Sequence, residues 1–558
     1  MLSQKTEAGN PPQNHPQQKT QTLEAQHQID SEAAIKTQLR QLYSSYRQSQ
    51  WTRVITQCEA IMTHCRQQIA YESAARSSLP LSASSPNAQA SAQASAQASA
   101  QSNVSAVNDD GARPYTQLDA QTGLSSNQQA IAEAELYTAK GNIFIEQGRK
   151  DLALQSYEQA LERHPQRAEL RQKIDTLYSE RAQQAKVDSG VAEAVRIYLQ
   201  GLQKHPRLFS AYNRLRYNLM RYDIPMGDPV LTEIIEVCQK IVIKYPTILP
   251  AQITLGYALT KAGQEEAAVN IYRGASELST RRQIEARVGD SSAEAASSFS
   301  SQSHAPDFMI IGAEKSGTTS LYQYLRQHPE VLSSVEKEID FFDMEYAHGI
   351  DWYLAHFPPA TESLIAQEHS WRTGEVSANY LYSDVAAQRV FKHFPAIKLA
   401  VILRHPVDRT VSRYNMMVRN GAEKRTLKQA VEEEIALIDS AIVHSGGDQM
   451  IDWSVLNRCR HVGNSLYYYH LKRWLSLFPA EQLFVMQSEA LFAQPAQALS
   501  QLYQALGLSS HIIESYPKHN SGRYSPIESD IRQTLSAFLA PHTRKLETLL
   551  GRSFGWNL

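Results

Sequence analysis

The stretch Phe308-Met-Ile-Ile-Gly-Ala-Glu-Lys-Ser-Gly-Thr-Thr-Ser-Leu-Tyr-Gln-Tyr-Leu-Arg-Gln-His-Pro329 does most to limit what the C-terminal part of this chain can fold into. Its short apolar run, Phe308 to Ile311, predicts a buried parallel strand, and Leu321, Tyr324 and Leu325 recur at helical spacing until Pro329. Between strand and helix lies an anion site. Gly312 and Gly317 let the backbone turn so that successive N–H groups point inward at the helix N-terminus, and Ser316, Thr318, Thr319 and Ser320 add hydroxyl donors. The loop is not that of a nucleotide triphosphatase. Such loops place Lys directly after the second Gly and then Ser or Thr for magnesium, whereas here Thr318 follows Gly317 and Lys315 precedes it.

Length and charge bound the rest. A chain of 558 residues suggests two to four folded units. With 55 Lys and Arg against 57 Asp and Glu, the net charge of -2 gives no basic surplus for nucleic acid or for wholesale membrane binding. The cysteines Cys58, Cys65, Cys238 and Cys459 form no CxxC pair and no zinc spacing, which predicts inert thiols in a reduced compartment. The first residues carry no apolar signal segment, and no run approaches the roughly 18 to 20 apolar residues of a membrane span. A soluble, cytoplasmic protein is the expectation.

In chain order, residues 1–30 are rich in Gln, Asn, Pro and Thr and predict a disordered tail. Apolar residues at helical spacing predict a helical hairpin at 31–78, an atypical first repeat, and the Ser/Ala/Gln repetition of 79–130 reads as a flexible linker. From 131 to 280 the chain reads as an array of tetratricopeptide repeats. Tyr137, Gly141, Phe144, Gly148, Ala153, Tyr157, Ala160 and Pro165 give the clearest copy, and Gly256, Leu259, Gly263, Ala268, Tyr272 and Ala275 give another. Such arrays bind a protein or peptide partner, or serve as spacers or dimerisation scaffolds. A second Ser/Ala-rich linker is expected at 281–304. Flexible linkers favour tethering, so a fragment beginning at residue 300 is expected to fold and bind its nucleotide alone.

Residues 305–558 are long enough for one doubly wound α/β domain with further strands at Leu399–Leu403 and Leu483–Met486. Ligands bind such sheets beyond the carboxyl ends of the strands, where the opening stretch and Arg404-His-Pro-Val-Asp-Arg-Thr-Val-Ser412 both lie. A phosphate monoester calls for a planar cation and a converging hydroxyl. Arg404 offers the bidentate fork, and Ser412, read as standing at a helix start, offers the donor.

Together the two motifs resemble those of sulfotransferases that use 3′-phosphoadenosine 5′-phosphosulfate (PAPS): a 5′-phosphosulfate loop and the 3′-phosphate motif Arg-x-x-Pro-x-x-x-x-Ser, here with Arg409 and Tyr414 as well. The resemblance implies a P-loop-like α/β domain, a parallel sheet flanked by helices, behind an all-α repeat array. It assigns Lys315, Ser316, Gly317, Thr318, Thr319, Arg404, Ser412, Gly522 and Arg523 to the cofactor, with Lys315 also neutralising the leaving phosphate, and it implies no metal. In Glu336-Lys-Glu-Ile-Asp-Phe-Phe-Asp343 a Glu just before apolar-x-Phe-Phe is similar to the base of the glycosaminoglycan branch, which selects Glu338. Glu336 and Asp343 are then loop-surface or supporting carboxylates. Gly349 to Tyr353, Asn457 to Cys459, Tyr467 to Trp474 and Leu549 to Trp556 also resemble that branch, especially its N-sulfotransferase domain.

Two departures bear on the acceptor. Ser521 stands where N-sulfotransferases carry a lysine, leaving open whether Lys518 or His519 replaces it, and Val376 stands where heparan enzymes commonly have another. The implied activity is sulfuryl transfer from PAPS to a hydroxyl or amine of a glycan or glycoconjugate. A protein-tyrosine or small-molecule sulfotransferase and a non-catalytic nucleotide-binding repeat adaptor are the alternatives.

Overall fold

The computed structural model describes residues 126–222, 224–288, 303–360, 371–444, 451–519 and 526–558. The tail, the first hairpin, nearly all of the first linker, Gly522 and Arg523 lie outside them, as does 289–302. The chain divides into two compact units, 1–211 and 212–558.

In the first unit, α1 (Ser126–Glu146) pairs with α2 (Lys150–Arg163) and α3 (Ala168–Ser189) with α4 (Val191–Lys204). The repeat glycine explains the close crossing. A Cβ on Gly141 would stand 2.4 Å from the Tyr157 ring, and sixteen residues likewise separate Gly256 from Tyr272, where it would stand 2.7 Å away. Helix α5 (Phe209–Arg221) follows.

The second unit contains α6 (Pro229–Lys244), α7 (Leu249–Lys261), α8 (Glu265–Val288) and the α/β domain. Helix α8 does not stop at 280. Ile284 is buried, the Ser333 N–H donates to the Gln283 amide oxygen at 2.9 Å, and Arg287 donates to the Val331 carbonyl at 2.7 Å. These bonds tie its last turns to a strand of the domain it was expected to be separated from.

That domain is built on five parallel strands, β1 (Phe308–Gly312), β2 (Val331–Ser333), β3 (Arg372–Val376), β4 (Lys398–Leu403) and β5 (Leu483–Gln487), in the order β2-β3-β1-β4-β5. All five β1 residues are buried, as a central parallel strand covered on both faces requires. Leu321, Tyr324 and Leu325 of α9 (Thr318–Leu325) join Ile310, Ile402 and Leu502 in one core. The domain's further helices are α10 (Ile350–Leu354), α11 (Ala386–His393), α12 (Pro406–Arg419), α13 (Leu427–His444), α14 (Trp453–Arg458), α15 (Tyr467–Leu475), α16 (Ser488–Ala493), α17 (Pro495–Leu506) and α18 (Ser529–Leu550), and a second core, with Val407, Val411, Leu456, Leu466, Leu535 and Leu539, gathers α12, α14 and α18. No helix among the described residues is long and apolar enough to cross a membrane.

The repeat helices and the domain share a buried seam. Trp352 Nε1 donates to Thr260 Oγ1 at 2.8 Å, the Tyr272 ring lies 3.9 Å from the His356 ring and edge-on to Trp352, and Ser276 Oγ donates to the Phe357 carbonyl at 2.5 Å. Trp352, Tyr272 and His356 are all buried. This corrects the expectation of a free-standing domain from residue 300: cutting there would bare two large aromatic rings and strip partners from buried polar groups.

Candidate active site

Residues 313–317 make the turn from β1 into α9, and the backbone explains their types. Gly317 sits at φ +106, and a Cβ on it would meet the Phe492 ring at 3.0 Å. Lys315 is held at φ +70, a left-handed conformation that costs a non-glycine residue about 1–2 kcal/mol. The loop is anchored to the neighbouring strand by the Ala313 N–H, which donates to the Ile402 carbonyl at 2.9 Å, and closed by the Ser316 N–H, which donates to the Ala313 carbonyl at 3.2 Å. Ser316 and Thr318 are buried.

Arg404 emerges from the next strand of the sheet. Its guanidinium Nη1 donates to the Lys315 carbonyl at 3.2 Å, while the Tyr467 hydroxyl donates to the Arg404 carbonyl at 3.0 Å. The two phosphate motifs, far apart in sequence, are therefore bonded neighbours. The Lys315 ammonium donates to Met416 Sδ at 3.3 Å; burial lowers its pKa, Arg419, Arg404 and Arg413 lower it further, and Glu314 opposes them. Glu314 is itself paired with Arg413. Such a half-buried cluster of cations is stabilised by an incoming anion.

The rest of the second motif divides. Ser412 is buried within α12, which already begins at Pro406, so it stands inside the helix and not at its start. Arg409 is fully buried and points elsewhere: it donates to Ser465 Oγ at 2.7 Å, to the Arg460 carbonyl at 3.2 Å and to the His461 carbonyl. It braces the 460–465 segment.

Glu338 reaches the same site from the segment between β2 and β3. Its backbone is left-handed, φ +61, and its N–H donates to the Val376 carbonyl at 3.1 Å, so the segment is pinned to the end of β3. The Glu338 side chain keeps 39% of its surface accessible. Lys337 links it to the phosphate loop, with an ammonium paired to Glu338 and 3.4 Å from Thr319 Oγ1. Sequence reasoning passed over Lys337 although it stands between the two glutamates it singled out.

Glu375, which is buried, and the half-buried Asp340 and Asp343 form a set of interacting acids. Glu375 accepts from Tyr353 at 2.7 Å, Tyr380 at 2.8 Å and Ser377 at 2.5 Å; burial pushes its pKa up and these donors oppose the rise. Asp340 is pushed well above the carboxylate range by burial and by Asp343, Glu338 and Glu375. Asp343 is raised to about 7 by burial and by Glu375. Tyr353 belongs to a stretch already noted in the sequence, yet nothing in the sequence says that Glu375 points inward.

At the far edge, the His519 N–H donates to Ser320 Oγ at 3.0 Å, and the Lys518 ammonium lies 4.7 Å from the centre of the Phe492 ring that faces Gly317. Both residues thus border the phosphate loop. Gly522, Arg523 and Ser521 lie outside the described residues. Among the described residues no group of three or more His, Cys, Asp or Glu is placed to hold a metal ion.

The chain is similar to known proteins in the same region. A family model for the sulfotransferase domain matches residues 305–525, and one for the tetratricopeptide repeat matches 134–167. The membrane-associated sulfotransferase kil1 of Dictyostelium discoideum is 26% identical over 316 residues, covering 45% of this chain and 66% of that protein. The bifunctional heparan sulfate N-deacetylase/N-sulfotransferase 4 of Mus musculus is 29% identical over 278 residues, covering 45% of this chain and 30% of that protein. The heparan sulfate glucosamine 3-O-sulfotransferase 5 of Homo sapiens is 27% identical over 333 residues, covering 55% and 88%. The chain thus spans less than two thirds of the first two relatives. With the parallel sheet, the paired motif loops and the repeat helices in place, the chain is similar to the sulfotransferase domain family through residues 305–525 and to tetratricopeptide repeats through 134–167.

Proposed function

We propose that the C-terminal unit transfers a sulfuryl group from PAPS to a hydroxyl or amine of a glycan or glycoconjugate. The observation that carries this reading is the bonded pair Arg404 and Lys315, which puts two anion-binding loops side by side while Lys337 links the first of them to Glu338. The donor set fits a nucleotide with separate 3′- and 5′-anions. Residues 315–319 would hold the 5′-phosphosulfate with N–H groups, hydroxyls and the Lys315 ammonium, and Arg404 and Ser412 would hold the 3′-phosphate.

PAPS would supply the sulfuryl group, whose sulfur–oxygen bond to the 5′-phosphate breaks as the acceptor's oxygen or nitrogen bonds to sulfur. Glu338 takes the proton that the acceptor loses. Lys315 stabilises the negative charge that grows on the departing phosphate oxygen, a role worth about 3–4 kcal/mol where one preorganised donor is removed from other enzymes. Lys337 orients the Glu338 carboxylate and adds positive charge beside Thr319. Similarity to heparan sulfate enzymes favours a glycan acceptor. The repeats of the first unit, 134–204, are the part we assign to a protein or peptide partner.

The test uses PAPS labelled in its sulfo group and N-desulfated heparin, which offers both hydroxyls and amines. Label transfer by the wild-type chain, lost in Glu338→Gln, supports the reading. Label transfer to a tyrosine peptide or a small phenol in place of any glycan favours the alternative acceptors, and PAPS binding without turnover on any of them favours an adaptor.

A further inference from the structure

Of the three residues Glu336, Lys337 and Glu338, the last two pair with each other and the first turns away from them. Lys337 also lies 3.4 Å from Thr319 Oγ1, but Glu336 turns to the repeat helices, where its carboxylate meets Arg216 Nε of α5 at 3.1 Å. Arg216 is held from both sides. It donates to Asn213 Oδ1 at 2.7 Å on its own helix and to Thr254 Oγ1 at 3.2 Å on α7. Both partners of the ion pair are mostly buried, with side-chain exposures of 15% and 19%.

We propose that Arg216 is a positioning residue for Glu338, acting through Glu336, so that the last repeats set the geometry of the catalytic segment. This rests on the reading of Glu338 as the base. Three observations carry it.

The first is chain connectivity. Glu336 and Glu338 are two residues apart on a segment with left-handed residues at Glu338 and Asp340, where the backbone turns sharply. Fixing the Glu336 carboxylate therefore fixes where the turn begins. Its other end is fixed by the Glu338 N–H on the Val376 carbonyl.

The second is that the repeats grip the same segment again further on. Glu345 accepts from the Tyr257 hydroxyl at 3.2 Å and pairs with Lys261 at 3.4 Å, and His348 lies between Glu345 at 3.1 Å and Glu265 at 3.3 Å. With Trp352 bonded to Thr260, residues 336–352 touch the repeats at four places along 17 positions. Acidic side chains on the domain meet basic or hydroxyl groups on α5 and α7 at each polar contact before His348.

The third is the cost of the pair. Burial pushes the Glu336 carboxyl up, and Arg216 pulls it back. Removing Arg216 leaves a buried carboxyl without its cation, which the segment relieves by moving to water. A displacement of about 1 Å in a reacting group can cost about 100-fold in rate.

The test is made on the full chain with the variants Arg216→Ala, Arg216→Lys and Glu338→Gln. Hydrogen–deuterium exchange of peptides covering 334–345 is followed with adenosine 3′,5′-bisphosphate bound, together with kcat and KM on PAPS and N-desulfated heparin. Arg216→Ala should speed exchange in 334–345 and lower kcat about 10- to 100-fold, with KM for PAPS and bisphosphate affinity within about twofold of wild type. Arg216→Lys, which keeps the charge, should recover most of kcat. Wild-type exchange and kcat in Arg216→Ala overturn the inference, as does equal loss of kcat and bisphosphate affinity with no rescue by Arg216→Lys, the pattern of a scaffold contact. Full turnover in Glu338→Gln contradicts the base assignment and this inference together, whereas wild-type turnover in Arg216→Ala beside an inactive Glu338→Gln overturns the inference alone.

Discussion

Arg404 Nη1 donates to the Lys315 carbonyl at 3.2 Å, so the cation that opens the second phosphate motif also fixes the backbone of the first. Lys315 is the non-glycine residue of that loop held left-handed, and the bond to its carbonyl helps to hold that unfavourable backbone in place. One side chain therefore ties the two motifs together.

Loss of Arg404 should be felt in both motifs. Arg404→Ala should weaken adenosine 3′,5′-bisphosphate by about 10- to 100-fold, since a charge-assisted bond contributes about 1.5–3 kcal/mol. Arg404→Lys should recover little, because an ammonium cannot donate in a fork and hold the carbonyl as well. Wild-type affinity in Arg404→Ala, measured by titration calorimetry, contradicts the assignment.

Glu338→Gln should separate chemistry from binding. Turnover is expected to fall about 10²- to 10⁴-fold with bisphosphate affinity nearly unchanged, because the proposed base would meet the acceptor and is linked to the loop through Lys337. Lys337→Ala should lower turnover and bisphosphate affinity together. Steady-state kinetics of the two variants side by side decide this.

How much of this was legible in the sequence depends on what a residue buries. The strands β1, β4 and β5 announce themselves as apolar runs, and Gly312, Gly317, Lys315 and Arg404 stand in patterns that read as an anion site. Strand β3 carries Arg372, Gly374 and Glu375 among its five residues, so no apolar run marks it; its burial depends on three hydroxyl donors that the fold brings to Glu375. The seam with the repeats was hidden for a related reason. Composition made 281–304 look like a free tether, but Gln283, Ile284 and Arg287 are a helical face whose partners lie 39 to 50 residues away.

That seam makes a prediction of its own. Trp352→Ala should destabilise the second unit by about 3–5 kcal/mol, the range for emptying a buried aromatic site, and should lower its thermal midpoint. A fragment of residues 300–558 should be less soluble and less stable than one beginning at 212, which keeps Thr260, Tyr272 and Ser276 on Trp352, His356 and Phe357. Equal melting of the two fragments contradicts the seam.

The interacting acids Glu375, Asp340 and Asp343 give stability a pH slope. Asp343 has a folded pKa of about 7, above the ordinary value of about 4. Between these values the unfolded chain releases a proton that the fold retains, so this group's contribution is fully present below pH 4 and is lost as pH rises through 7. Asp343→Asn should flatten that decline in urea unfolding measured from pH 4 to 8. An unchanged slope contradicts the raised Asp343 carboxyl.

The most direct test of a PAPS-type site is calorimetry of the full chain with adenosine 3′,5′-bisphosphate in the absence of magnesium, set against ATP with magnesium. The loop has no Lys-Ser/Thr after Gly317 for a magnesium-bound triphosphate, and Arg404 lies bonded to Lys315 where a 3′-phosphate would complete its fork. The bisphosphate should bind without metal and ATP far more weakly; equal affinity for the two would contradict the assignment of this site to PAPS.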